Sequence, residues 1–490
     1  MTFLGIDLGT SEVKAALVDP DGRLLAAVSE PLTLSHPRPD WSEQEPREWW
    51  DAADRAVRRL VLSGHSLKDV RAIGVAGQMH GAVVLDADQR VLRPAILWND
   101  GRSARQCIEL ESEMPALRSI TGNLAMPGFT APKLCWLRRH EPALFGSIRH
   151  VLLPKDWLVL HLCGALSTDL SDASGTLWLE VGARRWSPAM LAACGLTVEH
   201  MPELHEGTEA VGYLKPAVAR QWGIEGPCVV SAGAGDNAAA AIGLGLTEPG
   251  TGFVSLGTSG VAFLVTEGFQ PNPDQAVHAF CHAVPERWHQ MSVMLAAARS
   301  LQWGAQTLGY AAVQAMMEEV ERVTLNAAAS APIFLPYLSG ERTPHNNPAA
   351  SAVFFGLRAT HGREVLAYAV AEGVAFAMAD CLTCIDAAQV APQGLGVVGG
   401  AARSARLREL IASSSGISLH PLAHAQHAAA LGAASLARAA LTGHLAPSPS
   451  QRDERESHPT RPRSDWADLL APRLERFRAL YAALRRTFSP

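Results

Sequence analysis

The chain contains a short internal echo, and that echo limits its architecture more than any other feature. Leu8-Gly9-Thr10-Ser11 is followed by Val13 and Leu17-Val18, while Leu256-Gly257-Thr258-Ser259 is followed by Val261 and Leu264-Val265. Each copy comes after a short apolar run, Phe3 to Ile6 in the first case and Phe253-Val254 in the second. A strand–glycine turn–strand unit at matching positions in two halves is what a duplicated domain leaves behind. The 490-residue length also exceeds the roughly 100–200 residues of one ordinary domain, so more than one core is needed. The expected division is 1–245 and 246–490.

Local patterns place these turns in an α/β setting. Lys14 to Asp19 and Arg23 to Ser29 are strand-like runs around Pro20-Asp21-Gly22, a strong turn signal. Pro46 to Leu62 reads as a helix with Glu45 and Glu48 near its start, and Asp69 to Ala76 as a buried strand. Cys228 to Ser231, then Gly233-Ala234-Gly235, then Asn237 to Gly243 forms a strand–glycine–helix series. Gly394 to Val398, Gly399-Gly400 and Ser404 to Ser414 repeat it. Alternating strands and helices predict an α/β architecture. Pro447 to Arg463 is polar and Pro-rich and reads as a surface loop. Beyond it, Leu474, Phe477, Tyr481, Leu484 and Phe488 share one helical face, which predicts a docking helix.

Composition removes several function classes. Apolar residues make up 48% and charged residues 18%, so the chain has the means to bury cores and escape disorder. Forty-two basic against 48 acidic residues leave a net charge of −6 without a basic stripe, which argues against nucleic acid. The start, Met-Thr-Phe-Leu-Gly-Ile-Asp, has no basic n-region, so no secretory signal is expected. No charge-free apolar run of 18 residues is present, so no membrane span is expected either. Eight scattered cysteines suit reduced thiols in a cytoplasmic enzyme. Cys381 and Cys384 form a C-x-x-C inside the helical pattern Glu372 to Ala388, where buried thiols are the expected reading. Zinc-type spacings are absent among the 18 histidines.

Four glycine turns stand beside apolar strands: Gly9-Thr10-Ser11, Gly233 to Asp236, Gly257-Thr258-Ser259 and Gly399-Gly400. Small residues let backbone N–H groups approach phosphate oxygens that bulkier side chains would block. One such turn is merely a turn; four, two of them near-copies, point to a nucleotide. The P-loop pattern G-x-x-x-x-G-K-[ST] is missing. Gly233-Ala-Gly-Asp-Asn-Ala fits the looser dinucleotide pattern, yet no acidic residue ends the next strand, and an Asp at the helix start would repel a pyrophosphate. Two carboxylates stand out. Asp7 ends a strand beside the first glycine turn, where it could hold hydrated Mg²⁺ next to phosphates. Asp236 begins a helix whose dipole favours its ionised form, so it could take a hydroxyl proton during attack on a γ-phosphate. The plainer reading of Asp236 is a helix N-cap.

Longer motifs give these features a context. They include Gly5-Ile-Asp-Leu-Gly-Thr-Ser11, Gly77-Gln-Met-His-Gly81, Leu97-Trp-Asn-Asp-Gly-Arg102 and Leu153-Pro-Lys-Asp156. They continue with Asp169-Leu-Ser-Asp-Ala-Ser-Gly175, Gly235-Asp-Asn237, Ser255-Leu-Gly-Thr-Ser-Gly260, Leu335 to Pro344 and Gly399-Gly-Ala-Ala-Arg-Ser404. In these motifs, which run to about Ala434, the sequence resembles the FGGY carbohydrate kinases, and within them the members that act on D-xylulose. Of the five lysines, Lys14, Lys133 and Lys155 fall in or beside such motifs.

The resemblance implies two actin-like (ribonuclease H-like) domains with ATP in the cleft between them. It implies transfer of the γ-phosphoryl group to the 5-hydroxyl of D-xylulose, with Asp236 as catalytic base and Asp7 near Mg²⁺, reaching it through water because Mg²⁺ gives up its hydration shell reluctantly. Met79, His80, Asp236 and Asn237 would bind the sugar. Thr10, Ser11, Gly257 and Thr258 would contact phosphates, and Gly400 with Ser404 would border the adenosine. Lys14 either brings positive charge towards the phosphates or is a solvated strand residue. Ala401 stands where relatives often have Gly, which is tolerable at negative φ, and His424 to Ala428 lacks the residues often seen at the nucleotide edge. A homodimer fits the family. Gly77-Gln-Met-His-Gly81 favours xylulose over ribulose or glycerol, and a non-catalytic sugar-responsive binder is the reading from another class.

Overall fold

The computed structural model describes all residues except 386–389, 392–393, 423–424, 446–457 and 489–490. Two mixed sheets dominate it. The first contains β1 (Thr2–Leu8), β2 (Glu12–Val18), β3 (Leu24–Pro31), β4 (Val70–Gly77), β5 (Ala210–Tyr213), β6 (Val229–Ser231) and β7 (Ala234–Gly235). Its order is β5-β6-β4-β1-β2-β3, with β7 also on β4. The second contains β8 (Gly252–Leu256), β9 (Gly260–Thr266), β10 (His278–Cys281), β11 (Trp288–Met294), β12 (Leu395–Val398) and β13 (Leu419–Pro421), in the order β10-β11-β9-β8-β12-β13.

The duplication read from the echo is therefore topological. In each half an antiparallel meander (β1-β2-β3, or β8-β9-β11) is extended on the side of its first strand by two parallel strands (β4-β6, or β12-β13). The central strands carry apolar residues on both faces, as sheets covered on both sides require. Edge strand β3 mixes partly covered and exposed positions instead, with Glu30 buried.

Helix Pro46–Leu62 has the expected bounds, with Pro at its first turn and Glu48 near the positive end of its dipole. It buries Trp49, Ala52, Ala53, Ala56, Val57 and Leu60, a stripe at helical spacing, against β2 and β3. The terminal helix Ser464–Leu484 docks as expected. Trp466, Leu470, Leu474, Phe477 and Tyr481 enter the second core, and Leu484 and Phe488 pack on its margin.

The core helix differs from its expected bounds. It runs over Arg363–Cys384, not from Glu372 to Ala388, and it closes before Ile385, with 386–388 outside the described residues. Its buried residues lie all round the axis, so its first turns carry no amphipathic period to mark them. Among the described residues it is the one helix long and apolar enough to cross a membrane, and it lies buried in the core. Cys381 and Cys384 are buried thiols in its last turn. Of the expected loop Pro447 to Arg463, residues 447–457 lie outside the described residues, and Thr460 pairs with Leu419 at the edge of β13.

The division at 245/246 falls between the two sheets. One helix from the second half, Ala428–Thr442, nevertheless lies against β1, β4 and helix Asp236–Gly243. The two helices meet so closely that a Cβ on Gly432 would stand 1.8 Å from the Ala239 carbonyl oxygen. Only glycine permits that approach.

Candidate active site

Strand register gathers the glycine turns. Asp7 in β1 stands opposite Ala76 in β4, which stands opposite Ala234 in β7, and Leu8, Gly77 and Gly235 form the next row. These strands are parallel, so Asp7 and Asp236 emerge at the same ends. In the second sheet Ser255 of β8 pairs with Val398 of β12, which puts the Gly257 turn beside Gly399-Gly400. All four turns thus lie at the carboxyl ends of parallel strands of their sheets, the side on which open α/β sheets bind ligands. Gly233 has φ +80, and a Cβ there would meet the Val75 oxygen at 2.0 Å, so glycine is needed to bring β7 against β4.

Asp236 is not the helix N-cap: Gly235 holds that position and Asp236 is the first helical residue. Its Oδ1 accepts from the backbone N–H (2.7 Å) and Nδ2 (2.8 Å) of Asn237, and Oδ2 makes no hydrogen bond among the described residues. Burial raises its carboxyl to about 6, and the Asn237 hydrogen bonds oppose the rise. Burial likewise raises Asp7 to about 7; Lys14 opposes this, while the charges of Asp236 and Glu12 add to it. Two carboxylates far apart in the chain therefore share one electrostatic environment. Lys14 stands opposite Asp7 in the hairpin, and its Nζ is 3.1 Å from Glu12 Oε1, so it is paired and also acts on Asp7.

On the other side of Gly235, His80 adopts φ +70 and its Nδ1 lies 2.7 Å from the Gly175 carbonyl oxygen. A carbonyl only accepts, so Nδ1 carries the proton and Nε2 is left as an acceptor. Burial lowers this imidazole to about 3 and keeps it neutral. The His80 carbonyl accepts from Thr130 Oγ1 (3.1 Å) and Lys133 Nζ (2.8 Å), and Phe129 packs edge-on against the ring at 4.7 Å. Arg342, from the second half of the chain, contributes to the same lowering, and it bonds His278 at 3.3 Å. Met79 is buried beside Gly175 and Gly235, the residue before Asp236.

Ser11 and Thr258 are exposed at their turns, as are Gly399 and Gly400. Thr10 is committed differently: its hydroxyl donates to Gln78 Oε1 (3.0 Å) and accepts from Trp98 Nε1 (2.9 Å). What remains at Thr10 for an anion is its backbone N–H. The carbonyls of Gly257 and Thr258 accept from the N–H groups of Ala298 and Ala297, which pins the second turn. Ser404 caps helix Ala405–Ser415 by accepting from the Leu407 N–H at 3.2 Å. Gly399 has φ +100, Gly400 has φ −63, and Ala401 is not among the positive-φ residues, so its methyl is accommodated. His424 lies outside the described residues, and Ala425–His427 form a short 3₁₀ turn into helix Ala428–Thr442.

Reading the sequence missed Gln78, Trp98, Arg342 and the ring of groups around Lys155. All four stood inside motifs already singled out, Gly77 to Gly81, Leu97 to Arg102, Leu335 to Pro344 and Leu153 to Asp156, but their partners lie far away in the chain. Among the described residues no cluster of three or more His, Cys, Asp or Glu could hold a metal ion. Asp7 with Asp236 fits Mg²⁺ in another way. A partly buried carboxylate with raised proton affinity beside a second carboxylate is electrostatically short of a cation, and Mg²⁺ usually takes one or two carboxylates, with phosphates and water completing its shell.

Two α/β halves of matching sheet topology, each with glycine turns at the carboxyl ends of its parallel strands, are the two-domain, actin-like architecture of sugar kinases. The FGGY carbohydrate kinase N-terminal domain matches residues 2–243 and the C-terminal domain matches residues 252–441. The chain belongs to the FGGY family of carbohydrate kinases. Xylulose kinase of Escherichia coli strain K12 is 51% identical over 484 residues, covering 98% of this chain and 99% of its own. Xylulose kinase of Klebsiella pneumoniae is 48% identical over 494 residues, covering 99% and 100%. A solved structure from Brucella ovis, described as a xyloylose kinase, is 43% identical with a TM-score of 0.94, covering 99% of this chain and 100% of its own.

Proposed function

We infer that this chain catalyses ATP-dependent phosphorylation of D-xylulose, and that Asp236 is the base that deprotonates the attacking 5-hydroxyl. High identity over nearly full length to curated xylulose kinases supports the reaction and substrate. The observation that carries the base is that Asp236, whose Oδ2 makes no hydrogen bond among the described residues, acts electrostatically on Asp7 and directly follows Gly235, against which Met79 packs. In the proposed step the sugar oxygen bonds to the γ-phosphorus as the bond from phosphorus to the ADP oxygen breaks. The hydroxyl proton passes to Asp236 Oδ2, and sugar 5-phosphate and ADP leave.

Neutral His80 directs Nε2 as an acceptor towards a ketose hydroxyl, Met79 supplies apolar packing and Asn237 orients the base. Ser11, the Thr10 N–H, Lys14, Gly257 and Thr258 contact the phosphates, while Gly400 and Ser404 border the adenosine. Asp7 would hold Mg²⁺ through water. When bound, the ion neutralises charge on the transferring phosphoryl group. Requiring the sugar to complete the aligned site limits wasteful ATP hydrolysis.

The test is ADP release from Mg-ATP by the purified protein with D-xylulose, D-ribulose, glycerol or no sugar. The expected result is a large rise above background with D-xylulose alone. A larger rise with another acceptor would overturn the substrate reading and leave the base in place. A flat response with ATP bound would mark a sugar-responsive binder.

A further inference from the structure

Beneath Asp236 lies a buried charge cluster that the reaction as described does not use. The Lys155 side chain is wholly buried, with Nζ 2.6 Å from Asp156 Oδ1, 2.9 Å from Asp169 Oδ1 and 3.9 Å from Asp172 Oδ2. It also donates to the Ala232 carbonyl at 3.3 Å. Three carboxylates in the core against one ammonium is a costly arrangement, and apolar side chains would fill the space at least as stably. Asp172 is the extreme member: neither of its oxygens has a hydrogen-bond partner among the described residues, and burial raises its proton affinity well above normal, with Lys155 opposing the rise and the charges of Asp156, Asp169 and Asp236 adding to it. What such a cluster supplies is directed geometry.

That geometry leads to the base. Asp169 Oδ2 accepts from Ser171 N (2.8 Å), Ser171 Oγ (2.5 Å) and Asp172 N (3.3 Å). A carboxylate can only accept, so the one Ser171 hydroxyl proton points at Asp169, and its lone pairs are left for another donor. That donor is the Gly235 N–H, at 3.1 Å. Gly235 is the residue before Asp236 and the N-cap of its helix. The same segment holds His80 through the Gly175 carbonyl and meets the second half of the chain where Ser174 Oγ accepts from Cys281 N at 3.0 Å.

We propose that Ser171, aimed by Asp169 and Lys155, is a positioning residue for Asp236, fixing the Gly235 peptide that presents the carboxylate to the acceptor hydroxyl. The inference rests on Asp236 being the base. Displacing a catalytic group by about 1 Å can cost on the order of a hundredfold in rate, so a small shift of Gly235 is enough to be measured.

Ser171→Thr and Ser171→Val test it as a pair, because both add a methyl at the same buried point and only threonine keeps the hydroxyl. With D-xylulose and Mg-ATP, and active sites counted by ADP binding, the valine variant should lose about 30–100-fold in kcat with KM for ATP within about twofold. The threonine variant should stay within about threefold of the parent. Ser171→Ala, which adds no volume, should show the valine loss and replaces it if the valine chain does not fold. Equal kcat in the hydroxyl-bearing and hydroxyl-free variants would show a merely structural residue and overturn the proposal. Asp236→Ala separates the layers. If it abolishes transfer while valine matches threonine, only the positioning inference falls; if it keeps turnover, the base reading falls and the inference with it.

Discussion

Replacing Asp236 by Asn is expected to lower kcat for D-xylulose phosphorylation by about a thousandfold, within the range that removal of a general base produces. ADP binding should stay within about threefold. The substitution is nearly isosteric, and the asparagine Oδ1 can still accept both Asn237 hydrogen bonds, at 2.7 and 2.8 Å in the parent. What it removes is the basicity of the group facing the acceptor. The parent should also show an acidic limb. Burial raises Asp236 to about 6, and only the ionised form can take a proton, so kcat/KM for the sugar at saturating Mg-ATP should fall as pH drops through about 6, approaching tenfold per unit. The asparagine variant should lose that limb. A loss of less than tenfold with the limb intact would remove Asp236 as base, and parallel losses of kcat and ADP affinity would show damage to the site as a whole.

The second large effect concerns the terminal helix. Arg473 reaches back to Glu372 in the core helix with Nε–Oε1 2.7 Å and Nη2–Oε2 2.6 Å, and it also donates to the carbonyls of Ala329 and Ala331. Tyr368 donates to the same Glu372 at 3.0 Å. Arg473→Met leaves Glu372, which is 1% exposed, as an uncompensated buried charge. The expected loss of stability is about 3–5 kcal/mol, measured as the shift of the urea unfolding midpoint with its slope. Adding Glu372→Leu to that variant should recover most of the loss, because it removes the orphaned carboxylate. A single variant within about 1 kcal/mol of the parent would show that the helix is not docked through this pair.

Features that declare themselves over a few residues were legible in the sequence. Pro46, with Glu45 and Glu48 about it, marked the start of the helix Pro46–Leu62, and Pro20-Asp21-Gly22 marked the hairpin between β2 and β3. The Ser404 start of helix Ala405–Ser415 was placed within one residue, because capping is local chemistry. The core helix was mis-bounded for the converse reason: a helix buried all round shows no face, so nothing in its first turns signals the start. For Asp236, the choice between helix cap and free carboxylate needed backbone dihedrals, and these gave the cap to Gly235.

Local pattern and turn chemistry, which depend only on near neighbours, thus determined by themselves the α/β class, the duplication and the four glycine turns, and they made Asp7 and Asp236 candidates. Long-range register decided the rest. It brought Asp7, Ala76 and Ala234 into one row, and it spent the Thr10 hydroxyl on Gln78 and Trp98. It also laid Ala428–Thr442 on the first sheet and joined Lys155 through Asp169 and Ser171 to Gly235. The physical reason is that burial and proton affinity are set by groups distant in the chain, and strand pairing together with helix packing decides which of these become neighbours.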